Sequence, residues 1–321
     1  MNTKTLVYVL KRVALAVLTV WVVITVTFFV MRAVPGGPFA SEKAITPAAQ
    51  AALEAKYGLD KPVMEQYFTY LKDIVTKFDF GTSWYIQFRE PALNLLLERL
   101  TPTVLVNTYS LLLSVPIGIL LGIYAAIKKN KWQDQVINIF IILLISVPSI
   151  VLALMIQYVF CFKLGWFPLT MSVSNEYFTW PVFRSMLPAV FALCLGSIAG
   201  YARYTRAELS EVLTGEFMLL ARTKGLTKRQ AIYRHAMRNS MVVIFPSILS
   251  EFISVLSGSL IIEKMFGING VGGLYLNSIT FQDYDFFMLL SGFYTLVSLT
   301  AGIVIDISYG FIDPRIRMGA K

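Results

Sequence analysis

Residues able to do chemistry are sparse in this chain, and their positions restrict what it can do. The single histidine, His235, has no serine or cysteine nucleophile in a suitable arrangement, so a nucleophile–base–orienter constellation has no basis here. Cys161 and Cys194 lie in or beside apolar runs, far apart in sequence. That is the setting of buried, unpaired thiols rather than of a CxxC metal or redox pair. No GxxxxGK[ST] loop is present to cradle nucleotide phosphates, so the chain is not itself a nucleotide-hydrolysing subunit. Two features are left. One is Glu251, a carboxylate in the middle of an apolar stretch. The other is a polar island, 203–240, that carries eight of the chain's 28 lysines and arginines together with His235.

Membrane-spanning helices must position both features. Of the 321 residues, 56% are hydrophobic and 15% charged, whereas soluble domains carry about 25% charged residues. A mean hydropathy of +0.66 fits a chain immersed in a bilayer. Apolar runs of spanning length are expected at about 13–31, 103–127, 136–160, 186–204, 241–262 and 286–307. The first exceeds a signal-peptide core and is followed by RAVPGG, a poor cleavage site, so it is read as a retained span. The net charge of +9 would suit nucleic acid, but the bases cluster at the ends of apolar runs. That is the positive-inside pattern. It argues against nucleic acid and puts both termini and the 203–240 island in the cytoplasm. The expected fold class is all-α, a polytopic membrane protein with six transmembrane helices and cytoplasmic N- and C-termini.

Two domains are expected: 1–101, the first span plus an extracytoplasmic helical segment, and 102–321, a five-helix core holding the loop at 203–240. Within the first, Thr46-Pro47 predicts a helix that Gly58 closes, and Lys61-Pro62 predicts another. In the second helix Val63, Tyr67, Tyr70, Leu71 and Ile74 recur at helical spacing as one apolar, aromatic stripe. Such a helix suits either a cap lying on the bilayer's outer face or a docking surface for an outside partner. Spans two to five each hold one interior proline, Pro116, Pro148, Pro188 and Pro246, which predicts bent helices around a cavity. Gly118 with Gly122, Gly196 with Gly200, and Ser250 with Ser254 and Gly258 form small-residue stripes that let helices approach closely, within the chain or against a partner. Glu251 is either a functional group facing the bundle interior or water, or a neutralised packing group.

The island itself reads as helix, corner, helix. From Ser210 to Lys224, Val212, Leu213, Phe217, Leu220 and Ala221 fall toward one side. Gly225 suits a left-handed cap after the basic Arg222 and Lys224. Thr227 to Gln230 is a capping box that opens a second helix, running through Tyr233, His235 and Arg238 into the fifth span. A short amphipathic helix held this way fits a groove on another protein, or lies on anionic lipid through its bases.

The segment ARTKGLTKRQAIYRHAMRNS resembles the EAA-type cytoplasmic loop of permease subunits of ABC importers, in particular the dipeptide/oligopeptide/nickel group. RAVPGGPF, EAKYGLDKPVMEQYFTYLKD, FGTSW, GWFPLT, IIEKMFGINGVGGL, QDYDFFM and the terminal DPRIR are also like that group's segments, in order along nearly the whole chain. The nearest likeness is to the B-type permease of oligopeptide importers. The resemblance implies a type I importer permease fold in the cytoplasmic (inner) membrane. It implies a homologous second permease, two cytoplasmic ATPases that hold ATP and magnesium, and an extracytoplasmic peptide-binding protein as partners. This chain then binds no cofactor of its own and catalyses nothing. The implied coupling helix is 211–224 with Gly225 as its corner, and the implied ATPase contacts are Glu211, Glu216, Phe217, Leu219, Leu220, Ala221, Lys224, Gly225, Leu226 and His235. Glu251, Pro246 and Ser254 are candidates for the wall of the translocation path. The family pattern has a glutamate six residues before the glycine, where this chain has Leu219, so docking is expected to rest on shape and apolar contact. A dipeptide, glutathione or nickel permease of the same group, or an ion-coupled secondary transporter, stands as the alternative.

Overall fold

Helices let a chain in lipid satisfy its backbone donors and acceptors within each segment. The computed structural model, which describes residues 3–34, 54–55, 58–172, 174 and 176–312, is helical almost throughout. In chain order it has α1 (Thr3–Ala33), α2 (Val63–Lys77), a two-stranded ribbon of β1 (Thr82–Ser83) and β2 (Glu90–Pro91), α3 (Ala92–Ile127), α4 (Trp132–Ser146) and α5 (Ser149–Ile156). A π-helical turn, Gln157–Lys163, follows. Then come α6 (Trp180–Val212), α7 (Glu216–Thr223), α8 (Lys228–Ala231), a second π turn (Ile232–Ala236), α9 (Met237–Ser254), α10 (Leu260–Met265), α11 (Leu274–Thr280) and α12 (Tyr284–Ile312). Among the described residues five helices are long and apolar enough to cross a membrane, and the bent pair made by α4 with α5 and its π turn brings the count to six when taken as one span. The chain divides into two units: Met1–Thr101 with Gly270–Thr300, and Pro102–Asn269 with Ala301–Lys321.

In the first unit, only 6% of the apolar window of α1 is buried by the rest of the chain. What does pack on it is α2. The Tyr67 hydroxyl lies 2.8 Å from Thr25 Oγ1, and the buried Phe28 ring is 5.4 Å from Tyr67 and 5.9 Å from Tyr70, with Met288 and Leu71 completing the cluster. The predicted stripe therefore turns inward at Tyr67, Tyr70 and Leu71, while Val63 stays exposed. On the flank of that stripe Met64, Phe68 and Val75 form a second, exposed apolar row outside the single stripe expected. Of the helix expected from Thr46 to Gly58, most lies outside the described residues. Its end is present, with Gly58 at φ +67° and the Leu59 N–H donating to Glu54 O at 2.8 Å.

After α2 the chain winds around one carboxylate. Asp283 Oδ2 accepts from Ser83 Oγ (2.6 Å) and from the backbone N–H groups of Trp84, Tyr85 and Ile86 (3.2, 3.2 and 3.3 Å). Consecutive N–H groups turned to one point make an anion nest, and here the chain's own aspartate fills it. The segments FGTSW and QDYDFFM, far apart in sequence, meet at this bond. The ribbon then pairs Thr82 with Pro91 and Ser83 with Glu90. The start of α3 buries Ala92, Leu95 and Leu96 against Val271, Leu274, Phe286 and Leu290.

In the second unit α3 and α6 touch backbone to backbone. A Cβ placed on Gly118 would stand 2.6 Å from Tyr201 Cβ and 2.9 Å from the Ile198 carbonyl oxygen, and one on Gly122 would stand 2.6 Å from Ala202 O and from Thr205 Cβ. This small-residue stripe thus works inside the chain. The stripe of Gly196 and Gly200 on α6 meets nothing within 4 Å. The expected third span, 136–160, is broken at the proline expected to bend it. At Pro148 the chain bends by 99° between α4 and α5. Val147, the residue before the proline, is extended at φ −87° and ψ 125°, the conformation that a following proline imposes. Pro116, Pro188 and Pro246 instead lie inside helices that run on through them. The fifth span also stops short of residue 262. A 3₁₀ turn (Val255–Ser257) and Gly258, at φ +67° and ψ 178°, interrupt it before α10. Hydropathy does not register that break, because its flanks are equally apolar. Glu263 seals it, accepting from Thr103 Oγ1 at 2.8 Å and from the Ser259 N–H at 3.3 Å.

Two outcomes follow. Gly122→Leu should push α3 off α6 and destabilise the purified chain by about 1–3 kcal/mol, whereas Gly200→Ala, with open space for its methyl, should leave thermal unfolding unchanged. Asp283→Ala removes the acceptor of three loop amides, so hydrogen exchange at Trp84, Tyr85 and Ile86 should accelerate; unaltered exchange would show that the loop holds itself.

Candidate functional site

The 203–240 loop is built on the end of α6. That end is tied to the start of α4 by a bidentate ion pair: Arg206 Nε donates to Asp134 Oδ1 at 2.6 Å and Nη2 to Oδ2 at 2.9 Å. The Asp134 side chain is 3% exposed, and it also accepts from the Asn130 N–H and Asn138 Nδ2, each at 2.9 Å. Its place in the first turn of α4 adds the attraction of a helix N-terminus. A fork-to-fork pair fixes orientation as well as distance. In the sequence Arg206 is one base among eight in the island and Asp134 carries no signal, because no local pattern links two residues 72 positions apart.

Beyond Arg206, α6 ends at Val212. Thr214 turns the chain, its Oγ1 donating back to Glu211 O at 2.9 Å, and after Gly215 a separate helix, α7, begins. The single helix expected over 211–224 is therefore corrected to Glu216–Thr223. Glu211 belongs to the last turn of α6, apart from the other predicted contacts. Apolar periodicity runs on through Val212 and Leu213, which is why the break at 213–215 is not visible in it.

Helix α7 has two unlike faces. Met218 and Ala221 are both 5% exposed and pack with Ala126, Leu209, Ala231, Ile232 and Ala236. Leu219 and Leu220 are 67% and 55% exposed. Glu216, in the first turn, and Lys224, after the last, are exposed too. The one apolar side expected to meet a partner is thus split: Leu220 points out, while Ala221, expected among the ATPase contacts, is buried in the chain's own cluster. The side chains of Phe217 and His235 lie outside the described residues.

The corner forms as the sequence predicts. Gly225 has φ +83°, and the Leu226 N–H donates to Ala221 O at 3.2 Å. This is the long bond of a Schellman cap, with Leu226 and Ala221 packed in one cluster beneath it. The capping box is reciprocal: the Gln230 N–H donates to Thr227 Oγ1 at 3.3 Å, and the Thr227 N–H to Gln230 Oε1 at 3.1 Å. From there α8, the π turn and α9 run continuously into the fifth span.

Glu251 is half-buried on α9 and accepts from Ser197 Oγ of α6 at 2.6 Å, with the Tyr201 phenol beside it. Pro246 is buried, and Ser254 is exposed with its hydroxyl donating to Ser250 O and Glu251 O of its own helix. Among the described residues no cluster of three or more His, Cys, Asp or Glu could hold a metal ion. Helices long enough to span, a capped loop helix with one buried and one bare face, and a continuous run from loop to span describe a membrane component.

Comparison with known proteins turns that description into a family. Residues 118–318 match the model of the binding-protein-dependent transport system inner membrane component, and residues 5–103 match the corresponding N-terminal model. The chain belongs to this family. Two similar relatives are the dipeptide transport system permease DppB of Bacillus subtilis, 35% identical over 98% of this chain and 99% of that one, and DppB of Lactococcus lactis subsp. cremoris, 34% identical over 97% and 99%. The oligopeptide transport system permease OppB of Salmonella typhimurium is 33% identical over 97% and 99%. A solved amino acid ABC transporter, crystallised with histidines, aligns with TM-score 0.50 over 68% of this chain and 94% of its own, at 21% identity. That likeness speaks to the fold alone. This permease is therefore a membrane subunit of the ABC importer class with the type I fold. The FGTSW and QDYDFFM segments meet in its first unit, while the terminal DPRIR lies outside its described residues.

Within the permease, Gly225→Ala should cost about 1–2 kcal/mol, the penalty of a left-handed L-residue, since its methyl meets nothing within 4 Å. Gly225→Pro should abolish the corner, because a proline φ near −65° is incompatible with +83°. Loss of hydrogen-exchange protection at the Leu226 amide in the proline variant, and its retention in the alanine variant, would check both.

Proposed function

We propose that this chain is one permease half of an ATP-driven importer of peptides, working with a homologous second permease, two cytoplasmic ATPases and an extracytoplasmic peptide-binding protein. The chain binds no cofactor and performs no chemistry in this reading; ATP and magnesium sit on the ATPases. Its termini and the 203–240 loop face the cytoplasm, in keeping with the placement of the bases. The substrate reading is supported by relatives that are named for dipeptide and oligopeptide transport. Between the two, oligopeptides are the substrate proposed.

One observation carries the mechanism: α7 buries Met218 and Ala221 while baring Leu219 and Leu220. Two adjacent leucines at more than half exposure on a short helix otherwise packed on its own chain suit the groove of a partner. In this reading the ATPase takes them, together with Glu216, Lys224 and the Gly225 corner. With Leu219 in place of the family's glutamate, the grip is apolar rather than ionic. Closure of the two ATPases moves α7. Its buried face packs on the ends of α3 and α6 and on α8, and the movement passes along the continuous α8–α9 run toward Glu251, Pro246 and Ser254 on the path.

Leu220→Glu should abolish copurification of the ATPases and substrate-stimulated ATP hydrolysis by at least about tenfold, the effect of desolvating one unpaired charge in an interface, with membrane insertion unchanged. Peptide uptake that persists with an uncoupler present but fails without the ATPases excludes an ion-coupled mechanism. Normal ATPase association in Leu220→Glu would sink the docking role of α7.

A further inference from the structure

The geometry points to a binding site in the first unit for a small zwitterion, a primary ammonium joined by a few bonds to a carboxylate or phosphate. The site is a cavity of about 200 Å³ between the end of α1, the start of α2, the 79–84 loop and the start of α12. Drug-sized pockets occupy about 300–1,000 Å³, so the ligand that fits has the size of a dipeptide fragment or a lipid headgroup.

Four observations give the ligand both charges. Arg32 lines the cavity with its guanidinium 5.3 Å from the Phe28 ring centre and 5.8 Å from that of Tyr284. Rings on two sides hold the cation in place without neutralising it. Asp285 lies on the same wall and acts on Arg32 through space, but the two do not close into an ion pair among the described residues. A free gap between a guanidinium and a carboxylate is what a ligand with one charge of each sign would bridge.

Next, Gln66 Nε2 donates to Leu59 O at 3.0 Å and Lys61 O at 2.8 Å. Those bonds set the amide's orientation, and Oε1 is left buried with no hydrogen-bond partner. An orphan acceptor on a cavity wall calls for a donor, and an ammonium supplies three. Asp79 shares the wall, its Oδ1 accepting from the Gly81 N–H at 2.9 Å. Finally, Gly81 lets the loop come this close: a Cβ there would run into the Asp285 carboxylate. A simple anion would face Asp79 and Asp285, and a simple cation would face Arg32. Lys61 and Asp73 also line the cavity but are paired with Glu65 and Lys77; a ligand bearing both charges answers the groups that are left.

Two sources share this chemistry, a free peptide and a phosphatidylethanolamine headgroup; the first rests on the importer reading above and the second does not. The test uses the complete transporter in nanodiscs of phosphatidylglycerol, titrated separately with glycylglycine and with dihexanoyl phosphatidylethanolamine, counting adducts per permease by native mass spectrometry. Asp79→Asn keeps the bond to Gly81 and removes the charge; Arg32→Gln removes the cation. One adduct with either probe, weakened about tenfold in both variants as loss of a charged hydrogen bond predicts, supports the site, and the probe that binds names the source. No adduct with either probe, or equal affinity in variants whose thermal unfolding matches the parent, overturns it. Peptide uptake by the same transporter reconstituted in sealed liposomes keeps the two readings apart: uptake without an adduct refutes the site alone, and an adduct without uptake refutes the importer reading alone.

Discussion

In lipid, two helices gain little from burying apolar side chains on each other, since the tails they leave are as apolar as leucine. What holds α3 to α6 has to come from close approach and from polar groups with no better partner. Gly118 and Gly122 provide the approach, bringing the α3 backbone against Ile198, Tyr201, Ala202 and Thr205. The Asp134–Arg206 pair provides the polar tie on another side, fastening the same end of α6 to the start of α4. A buried pair of this kind contributes more to position than to net stability, because desolvation offsets much of its attraction. Its value here is that it sets where α6 leaves the bundle.

That exit point governs the loop. The inner face of α7 rests on residues from α3, α6, α8 and the π turn beyond it, Ala126 and Leu209 among them. The helix that offers Leu219 and Leu220 outward is therefore seated on α3 and α6, which the glycines hold together, with α6 fastened to α4 by the ion pair. A push on α7 is a push on its seat. The Schellman cap at Gly225 and the capping box at Thr227 keep the corner short, and the uninterrupted run from α8 into α9 gives the push a stiff path. In the function proposed above, these packed elements are what carries a movement of α7 toward α9.

The first unit solves a different problem, that of folding a polar loop beside a span with few apolar contacts. Its answer is concentrated on acidic residues at the start of α12. Asp283 gathers Ser83 and three amides, and Asp285 takes the Thr82 N–H at 3.2 Å. Asp283 is a structural anion whose nest is already occupied. Asp285, facing Arg32 across open space, is not fully used by the fold, which is why the cavity beside it is the place to look for a ligand.

Much of this was legible in the sequence, for a physical reason: a bilayer imposes length, polarity and charge placement on each segment separately. Composition and basic-residue position sufficed for a polytopic helical membrane protein, and the αL glycine at 225 and the Thr227–Gln230 box are local devices whose partners lie within a turn. Their geometry is as the spacing predicts. Breaks inside apolar runs were less legible. Pro148 turns the chain while Pro116, Pro188 and Pro246 do not, and Gly258 ends a helix amid residues as apolar as its interior, because neighbours in space decide whether a freed carbonyl can be satisfied. Least legible were pairings across long separations. Asp134 with Arg206, Asp283 with Ser83, and Arg32 beside Asp285 join residues that no window of sequence contains. The sequence alone determined that this chain lives in a membrane and carries a capped loop helix. Tertiary structure decided which leucines that helix bares and where charges meet, since both depend on what packs behind them.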